Sequence, residues 1–283
     1  MPVAAAVPTT TLPSGEAVPV LGQGTWHMGD DAGRRKQEIA ALQLGLDLGL
    51  SLIDTAEMYG NGASENLIGE AITGRRDEVF LVSKVLPENA TARGTVAACE
   101  KSLKRLRTDR LDLYLLHWRG PVPLAETLEG FAALVRAGKI RHFGVSNFEV
   151  DEMAELWSLA GGEAAQTNQV LYNLARRGIE FDLMPLLKRH HTPIMAYSPI
   201  EQGRLIKNGA LRRIADRHGA TPAQVALAWV LREVGVIAIP KAASEKHVRE
   251  NHGALAVQLS EADLAALDLA FPPPGGPAPL EMI

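Results

Sequence analysis

The segment "LIDTAEMYGNGASE", residues 52–65, starts as an apolar run and then sets Asp54, Glu57 and Tyr59 close together. Taken alone it reads as a strand leaving into a polar loop. The other apolar runs change that reading, because each of them also ends in a functional group. In chain order they deliver Thr25 and Trp26, Lys84, His117 and Trp118, Ser146 and Asn147, Asn168 and Gln169, Tyr197 and Ser198, and Lys241. Side chains on a strand alternate between two faces. Lys84 shares the parity of Phe80 and Val82, His117 that of Leu111, Leu113 and Leu115, and Asp54 that of Leu52. These three groups therefore continue strand faces. An unpaired buried ion is costly, so Asp54 and Lys84 are expected to satisfy each other. A structural ion pair would explain those two, but not Tyr59 and His117 on the same rim.

Together the four form a plausible proton-donating set. A phenol with an ordinary pKa of about 10 is a sluggish acid at neutral pH, and a nearby cation lowers that value by roughly 1–3 units. Lys84 would be that cation, Asp54 would hold it in place, and His117 would orient or polarise the receiving oxygen. Such a set suits carbonyl reduction, with Tyr59 protonating oxygen while hydride reaches carbon. No side chain supplies a hydride, so the chemistry requires a nicotinamide cofactor.

The elements that must position these groups follow from the pattern. Strands are expected at "VLGQGT", "SLIDTA", "VFLVSKV", "LDLYLLH", "IRHFGVS", "AAQTNQV", "PIMAYSP" and "VIAIPK", with amphipathic stretches between them. In "TPAQVALAWVLREVG", Thr221 is a candidate N-cap and Pro222 occupies the first helical position. Eight nearly continuous apolar strands alternating with helices predict an α/β fold: a (β/α)8 TIM barrel, active at the C-terminal ends of its strands. A doubly wound sheet is the competing architecture. "GQGTWHMG" fails as a dinucleotide fingerprint, since His27 stands where a third glycine belongs. Gly22 and Gly24 more simply admit a close-packed backbone.

Composition narrows the function classes. The 283 residues carry a net charge of −4 and 46% hydrophobic residues. That balance gives no field for nucleic acid or an anionic membrane, and no run reaches a membrane span. The N-terminal "MPVAAAVPTTTLPSG" lacks the basic region of a signal peptide. Cys99 is the only cysteine and falls on a helical core face, so a reducing, cytoplasmic setting is expected. With no linker, residues 1–283 read as one domain, with 1–8 and 272–283 as flexible tails.

The runs "GQGTW", "LIDTAEMYG", "VSKV", "LDLYLLHW", "GKIRHFGVSNF", "TNQVLYN", "AYSPI" and "IPKAASEKHVREN" span nearly the whole chain. In this order they closely resemble the aldo-keto reductase superfamily, and within it compact prokaryotic reductases of the methylglyoxal and diketogluconate type. The resemblance implies a barrel closed by an N-terminal β-hairpin near residues 9–20, binding NADPH or NADP extended without a Rossmann unit. Asp54, Tyr59, Lys84 and His117 match its catalytic tetrad. Ser146, Asn147 and Gln169 match the groups that hold the nicotinamide carboxamide, and Tyr197 the ring that stacks on nicotinamide. Gly24, Thr25, Trp26 and Asp54 are assigned to the same cofactor path. Ser198 and the segment through Gly203 and Leu205 match the pyrophosphate loop, while Lys241, Ser244, Glu250 and Asn251 match the adenosine end. Two departures stand out: His247 replaces an arginine common among relatives at the 2′-phosphate, and Ala242 replaces a serine. A neutral histidine offers no bidentate fork, so NADH is expected as a weaker substitute.

Trp26, Tyr59, His117 and Trp118 are expected to wall the substrate pocket, with Met28 at its edge. Short covering loops imply an open site, favouring small aldehydes and dicarbonyls such as methylglyoxal. The expected state is a monomer, with no metal. Two rival classes are a slow-turnover nucleotide sensor or regulatory subunit, and a metal-dependent barrel hydrolase using His190 and His191. The second is weak, because those histidines are adjacent, follow a helix and lack a carboxylate set.

Overall fold

The computed structural model describes residues 6–283. Two short strands, β1 (Thr9–Thr11) and β2 (Ala17–Pro19), pair antiparallel as the expected hairpin. Then follow β3 (Gln23–Gly24), α1 (Arg35–Asp47), β4 (Leu52–Asp54), α2 (Ala63–Ala71), β5 (Phe80–Val85), α3 (Ala92–Leu106) and β6 (Leu111–Leu116). The alternation continues through α4 (Leu124–Arg136), β7 (Ile140–Ser146), α5 (Val150–Ser158), β8 (Asn168–Leu171), α6 (Leu183–Arg189) and β9 (Ile194–Tyr197). After β9 come α7 (Gly209–His218), α8 (Pro222–Leu231), β10 (Val236–Ala238), α9 (Glu245–Gly253) and α10 (Glu261–Ala270). Every strand from β3 to β10 pairs parallel with its sequence neighbour. Bridges from Leu21 to Ala238 and from Gly24 to Lys241 close the ring. All eight expected strands are present, shorter at most ends.

The closure explains two glycines. A Cβ on Gly24 would lie 2.5 Å from the Ile239 carbonyl oxygen, and one on Gly22 would lie 2.9 Å from that of Leu52. Only glycine allows those approaches.

Two apolar layers follow from the strand parity. The inner one contains Leu52, Val82, Leu113, Leu115, Met195 and Ile237, and the hairpin's Leu12 and Val18 plug it from below. Glu16 ties that plug to the barrel, accepting from Arg141 and from the His142 ring at 2.6 Å. The outer layer lies between strands and helices. Its α8 is buried through Val225–Val230, and Thr221 caps it in a reciprocal box with Gln224. Cys99 is buried there, and burial pushes its thiol up to about 12, so it serves as a hydrophobe.

Two expectations need correction. Met28 is fully buried in the outer core: its amide bonds back to the Thr25 carbonyl, and this turn tucks the side chain under rather than toward the pocket. The C-terminal stretch 278–283 is docked rather than loose. The Leu280 amide donates to Glu149, Glu281 pairs with Arg176, and Met282 and Ile283 reach the barrel mouth. At the N-terminus residues 1–5 of the expected tail lie outside the described residues, while Val7 packs on the core.

Candidate active site

The barrel's C-terminal face opens into a cleft of about 480 Å³. Its lining includes Thr25, Trp26, Asp54, Tyr59, His117 and Trp118, then Ser146, Asn147, Gln169, Tyr197, Ser198, Gly203 and Lys241. Most of the sequence-derived site therefore converges.

At the base of the cleft, strand geometry assembles the ion pair. Asp54 ends β4 opposite Val82, and Lys84 lies two residues further along β5, on the same inward face. Its ammonium donates to Asp54 Oδ2 at 2.8 Å and to the Thr55 carbonyl at 2.8 Å. The third contact goes to the Tyr59 hydroxyl oxygen at 3.3 Å. An ammonium has three donors, and all three are used here. Tyr59 thus accepts from Lys84, which leaves its own O–H to point at an acceptor in the cleft. Gln169 completes the base by donating to Asp54 Oδ1 at 2.8 Å.

The electrostatics differ from the expectation in one respect. Burial, reinforced by the Asp54 carboxylate, holds the Tyr59 phenol well above its ordinary value. Lys84 does not lower it as expected, because Asp54 largely cancels the ammonium's charge and the phenolate would be poorly solvated. Burial likewise pulls Lys84 down, against the opposing pull of Asp54. Tyr59 is therefore an acid that keeps its proton until a stronger base forms beside it.

His117 follows β6, with its amide bonded to the Val85 carbonyl and its ring edge-on to Tyr59 at a centroid distance of 6.0 Å. Burial first, and then Lys84, push its pKa down to about 2, so the ring is neutral. Nδ1 is buried and has no hydrogen-bond partner among the described residues. An orphaned acceptor costs less than an orphaned N–H, which favours the tautomer protonated at Nε2 and makes that atom a donor to the cleft.

This burial has a measurable consequence. A histidine whose folded pKa lies below its unfolded value of about 6.5 contributes stability that is complete above 6.5 and is lost as pH falls toward the folded value. Each pH unit across that window costs up to about 1.4 kcal/mol. Thermal unfolding of wild type and His117→Asn between pH 7 and 4.5 should show a shallower acid loss in the variant. Parallel losses would contradict the neutral buried ring.

Beside the ion pair lies a set of amide and hydroxyl groups. Ser146 Oγ donates to the Gln169 carbonyl at 2.8 Å, and Asn147 Nδ2 to the His117 carbonyl at 3.1 Å. Asn147 holds a left-handed φ of 57°, and its Oδ1 accepts from the Tyr197 hydroxyl at 3.0 Å. Past Tyr197 the chain turns through left-handed Ser198, Glu201, Gln202 and Gly203, at φ of 46°, 50°, 54° and 82°. Non-glycine residues pay for that conformation, and such strain persists only where surrounding contacts impose it. Asn173 does so here, donating to the Ser198 carbonyl at 3.0 Å and to Glu201 at 2.8 Å.

Other assignments fall outside the lining. The Leu205 side chain packs into the outer core, and the residue is absent from the cleft lining, so its assignment to the cofactor path is not met by the geometry. Ser244, His247, Glu250 and Asn251 sit on or cap α9, which follows shortly after Lys241; Ser244 accepts from the His247 amide at 3.4 Å. Asn168 is a structural residue, bridging to both main-chain groups of Phe148. Glu57 is a loop anchor, accepting from the Leu86 amide at 2.7 Å and from Asn89 at 3.0 Å. His190 stacks on Trp157 with centroids 3.9 Å apart, and the described residues hold no group of three or more potential metal ligands. Sequence reasoning missed His27, Met58, Met282 and Ile283, all of which line the cleft, whereas Ile200 and Gln202 line it within the segment assigned to the pyrophosphate. Met58 was recoverable from its place beside Tyr59. Met282 and Ile283 carried no signal.

Comparison with known proteins fits this geometry. Residues 20–270 match the Aldo/keto reductase family. The chain belongs to that family. It is 53% identical over 272 residues to methylglyoxal reductase YeaE of Escherichia coli (strain K12), covering 94% of this chain and 96% of that protein. Glyoxal reductase of Bacillus subtilis (strain 168) is 35% identical over 260 residues, covering 92% and 91%. Among solved structures, an aldo/keto reductase from Klebsiella pneumoniae, in complex with NADP and acetate, superposes with a TM-score of 0.95 at 51% identity, covering 97% of this chain and 99% of that one. No helix among the described residues is long and apolar enough to cross a membrane.

Proposed function

We propose that this aldo/keto reductase family member reduces small aldehydes, ketones and dicarbonyls such as methylglyoxal to alcohols, with NADPH as reductant and Tyr59 as general acid. The observation that carries this reading is the Tyr59 hydroxyl, whose lone pair is occupied by Lys84 while its proton is left for the cleft. The Nε2–H of neutral His117 would polarise the same substrate oxygen.

The cleft's donor set fits an extended nicotinamide nucleotide. Ser146, Asn147 and Gln169 offer the hydroxyl and amide groups that hold a carboxamide, and Gln169 has no protein partner on its carbonyl oxygen among the described residues. Tyr197 presents a ring beside them. The left-handed turn through Ser198 and Gly203 brings main chain to the cleft wall, where a pyrophosphate needs donors. Exposed Lys241 would pair the 2′-phosphate, with Ser244, His247, Glu250 and Asn251 toward the adenosine. When bound, the dihydronicotinamide supplies the hydride. Trp26 and Trp118, with Met58 and Met282, would form an apolar wall that accepts many small carbonyls and discriminates weakly among them. The names of the YeaE and glyoxal reductase relatives support the small-dicarbonyl class. The reading keeps the single-domain monomer in a reducing cytoplasm that the sequence leads one to expect.

The reading is tested by reduced-cofactor consumption across methylglyoxal, glyoxal and larger carbonyls, with product identification. Turnover of the small dicarbonyls supports it, and no turnover of any carbonyl would sink it. Lys241→Ala should weaken NADPH binding about tenfold to a hundredfold, the worth of one charge-assisted hydrogen bond, while leaving NADH binding nearly unchanged. Equal losses for both cofactors would remove Lys241 from the 2′-phosphate.

A further inference from the structure

The C-terminal strap 278–283 and the turn from Ser198 to Lys207 approach the cleft from different parts of the sequence. They share one side chain. Arg176 follows β8 in a tight turn, its amide bonded to the Asn173 carbonyl at 2.9 Å. One guanidinium nitrogen, Nη1, pairs with Glu281 of the strap. The other edge, Nε and Nη2, donates to Glu201 Oε1 at 3.3 and 3.0 Å. Glu201 is buried at 3% exposure and also takes Asn173 at 2.8 Å and Arg204 at 2.9 Å. Glu281 thus bonds to a residue that itself helps impose the left-handed turn. At the strap's end, Met282 and Ile283 line the same cleft as Tyr197 and Ser198.

A rigid guanidinium fork that satisfies two carboxylates fixes their separation, which a flexible ammonium does not. We propose that Arg176 is a positioning residue that couples the C-terminal strap to the 198–207 turn, so that the substrate wall and the cofactor seat are set as one unit. The inference rests on the proposed placement of the nucleotide along that turn. It assigns Arg176 no contact with substrate or cofactor; its effect passes through Glu201 and Glu281.

Coupling is reciprocal, so a change confined to the strap must be felt by the cofactor even when no carbonyl is present. Glu281 is half-exposed and its ion pair is made with Arg176 rather than with a residue of the turn, so Glu281→Gln should fold normally. The measurement is the equilibrium dissociation constant of NADPH by tryptophan fluorescence, for wild type, Glu281→Gln, Arg176→Gln and the double variant. Glu281→Gln should weaken NADPH about threefold to tenfold at an unchanged melting temperature, within the range found for indirect coupling. In the Arg176→Gln background the same change should have no further effect. NADPH binding by Glu281→Gln equal to wild type would overturn the coupling, as would independent, additive losses in the double variant. A wild type that binds no NADPH would instead remove the functional reading, and this inference with it.

Discussion

Tyr59→Phe is expected to lower kcat by about a hundredfold to ten-thousandfold, the span that a positioned general acid contributes. The substitution removes one oxygen and keeps the ring that meets His117 edge-on. Lys84 retains two of its three acceptors, Asp54 and the Thr55 carbonyl, so the ion pair survives. NADPH binding measured without carbonyl should therefore stay within about twofold of wild type, because no cofactor contact is assigned to that hydroxyl. The pH dependence provides a second check. Burial and Asp54 keep the phenol protonated well above its ordinary value, so reduction should not fall between pH 6 and 9 through loss of this proton. A descending limb near neutrality that vanishes in Tyr59→Phe would indicate a lowered phenol instead.

Lys84→Met is expected to be the most damaging single change to stability. The ammonium is fully buried, and Asp54 would be left with Gln169 as its only side-chain donor among the described residues. Removing one partner of a buried pair costs about 3–5 kcal/mol, because the remaining charge is uncompensated. For a chain of this size the melting temperature should fall by about 10 °C. Replacing both partners, as in Asp54→Leu with Lys84→Met, should recover much of that loss while activity stays absent. The comparison separates folding from catalysis. A single variant as stable as wild type would mean that the Asp54 charge is satisfied by other means.

The parity of strand residues explains why so much of the site was legible. Asp54, Lys84 and His117 follow apolar positions at intervals of two, and a parallel barrel turns that interval into a shared inward face. The eight strands were visible for the same reason, as apolar runs separated by helix-forming stretches. Gly24 was read from its place at a strand, and its contact with the Ile239 carbonyl bears that out. What stayed hidden depends on contacts between distant parts of the chain. Nothing in "PPPGGPAPLEMI" announces that Met282 and Ile283 return to the cleft; their seat is made by Glu149 and Arg176, more than a hundred residues earlier. Met28 was misplaced because a turn, rather than strand parity, sets its direction. The direction of the Tyr59 shift was missed because it depends on how completely Asp54 offsets Lys84 and how dry the phenol is. A pattern of residue types records neither.

The most direct test of the whole account follows a label from cofactor to product. Wild-type enzyme would be supplied with methylglyoxal and with NADPH deuterated on one or the other face of the dihydronicotinamide C4, and the alcohol examined by NMR. The expected product is an alcohol carrying one deuterium on the new carbinol carbon, delivered from one labelled cofactor and not the other. NADPH that binds tightly yet is not consumed, or an alcohol without deuterium at that carbon, would contradict it and favour a nucleotide-sensing role.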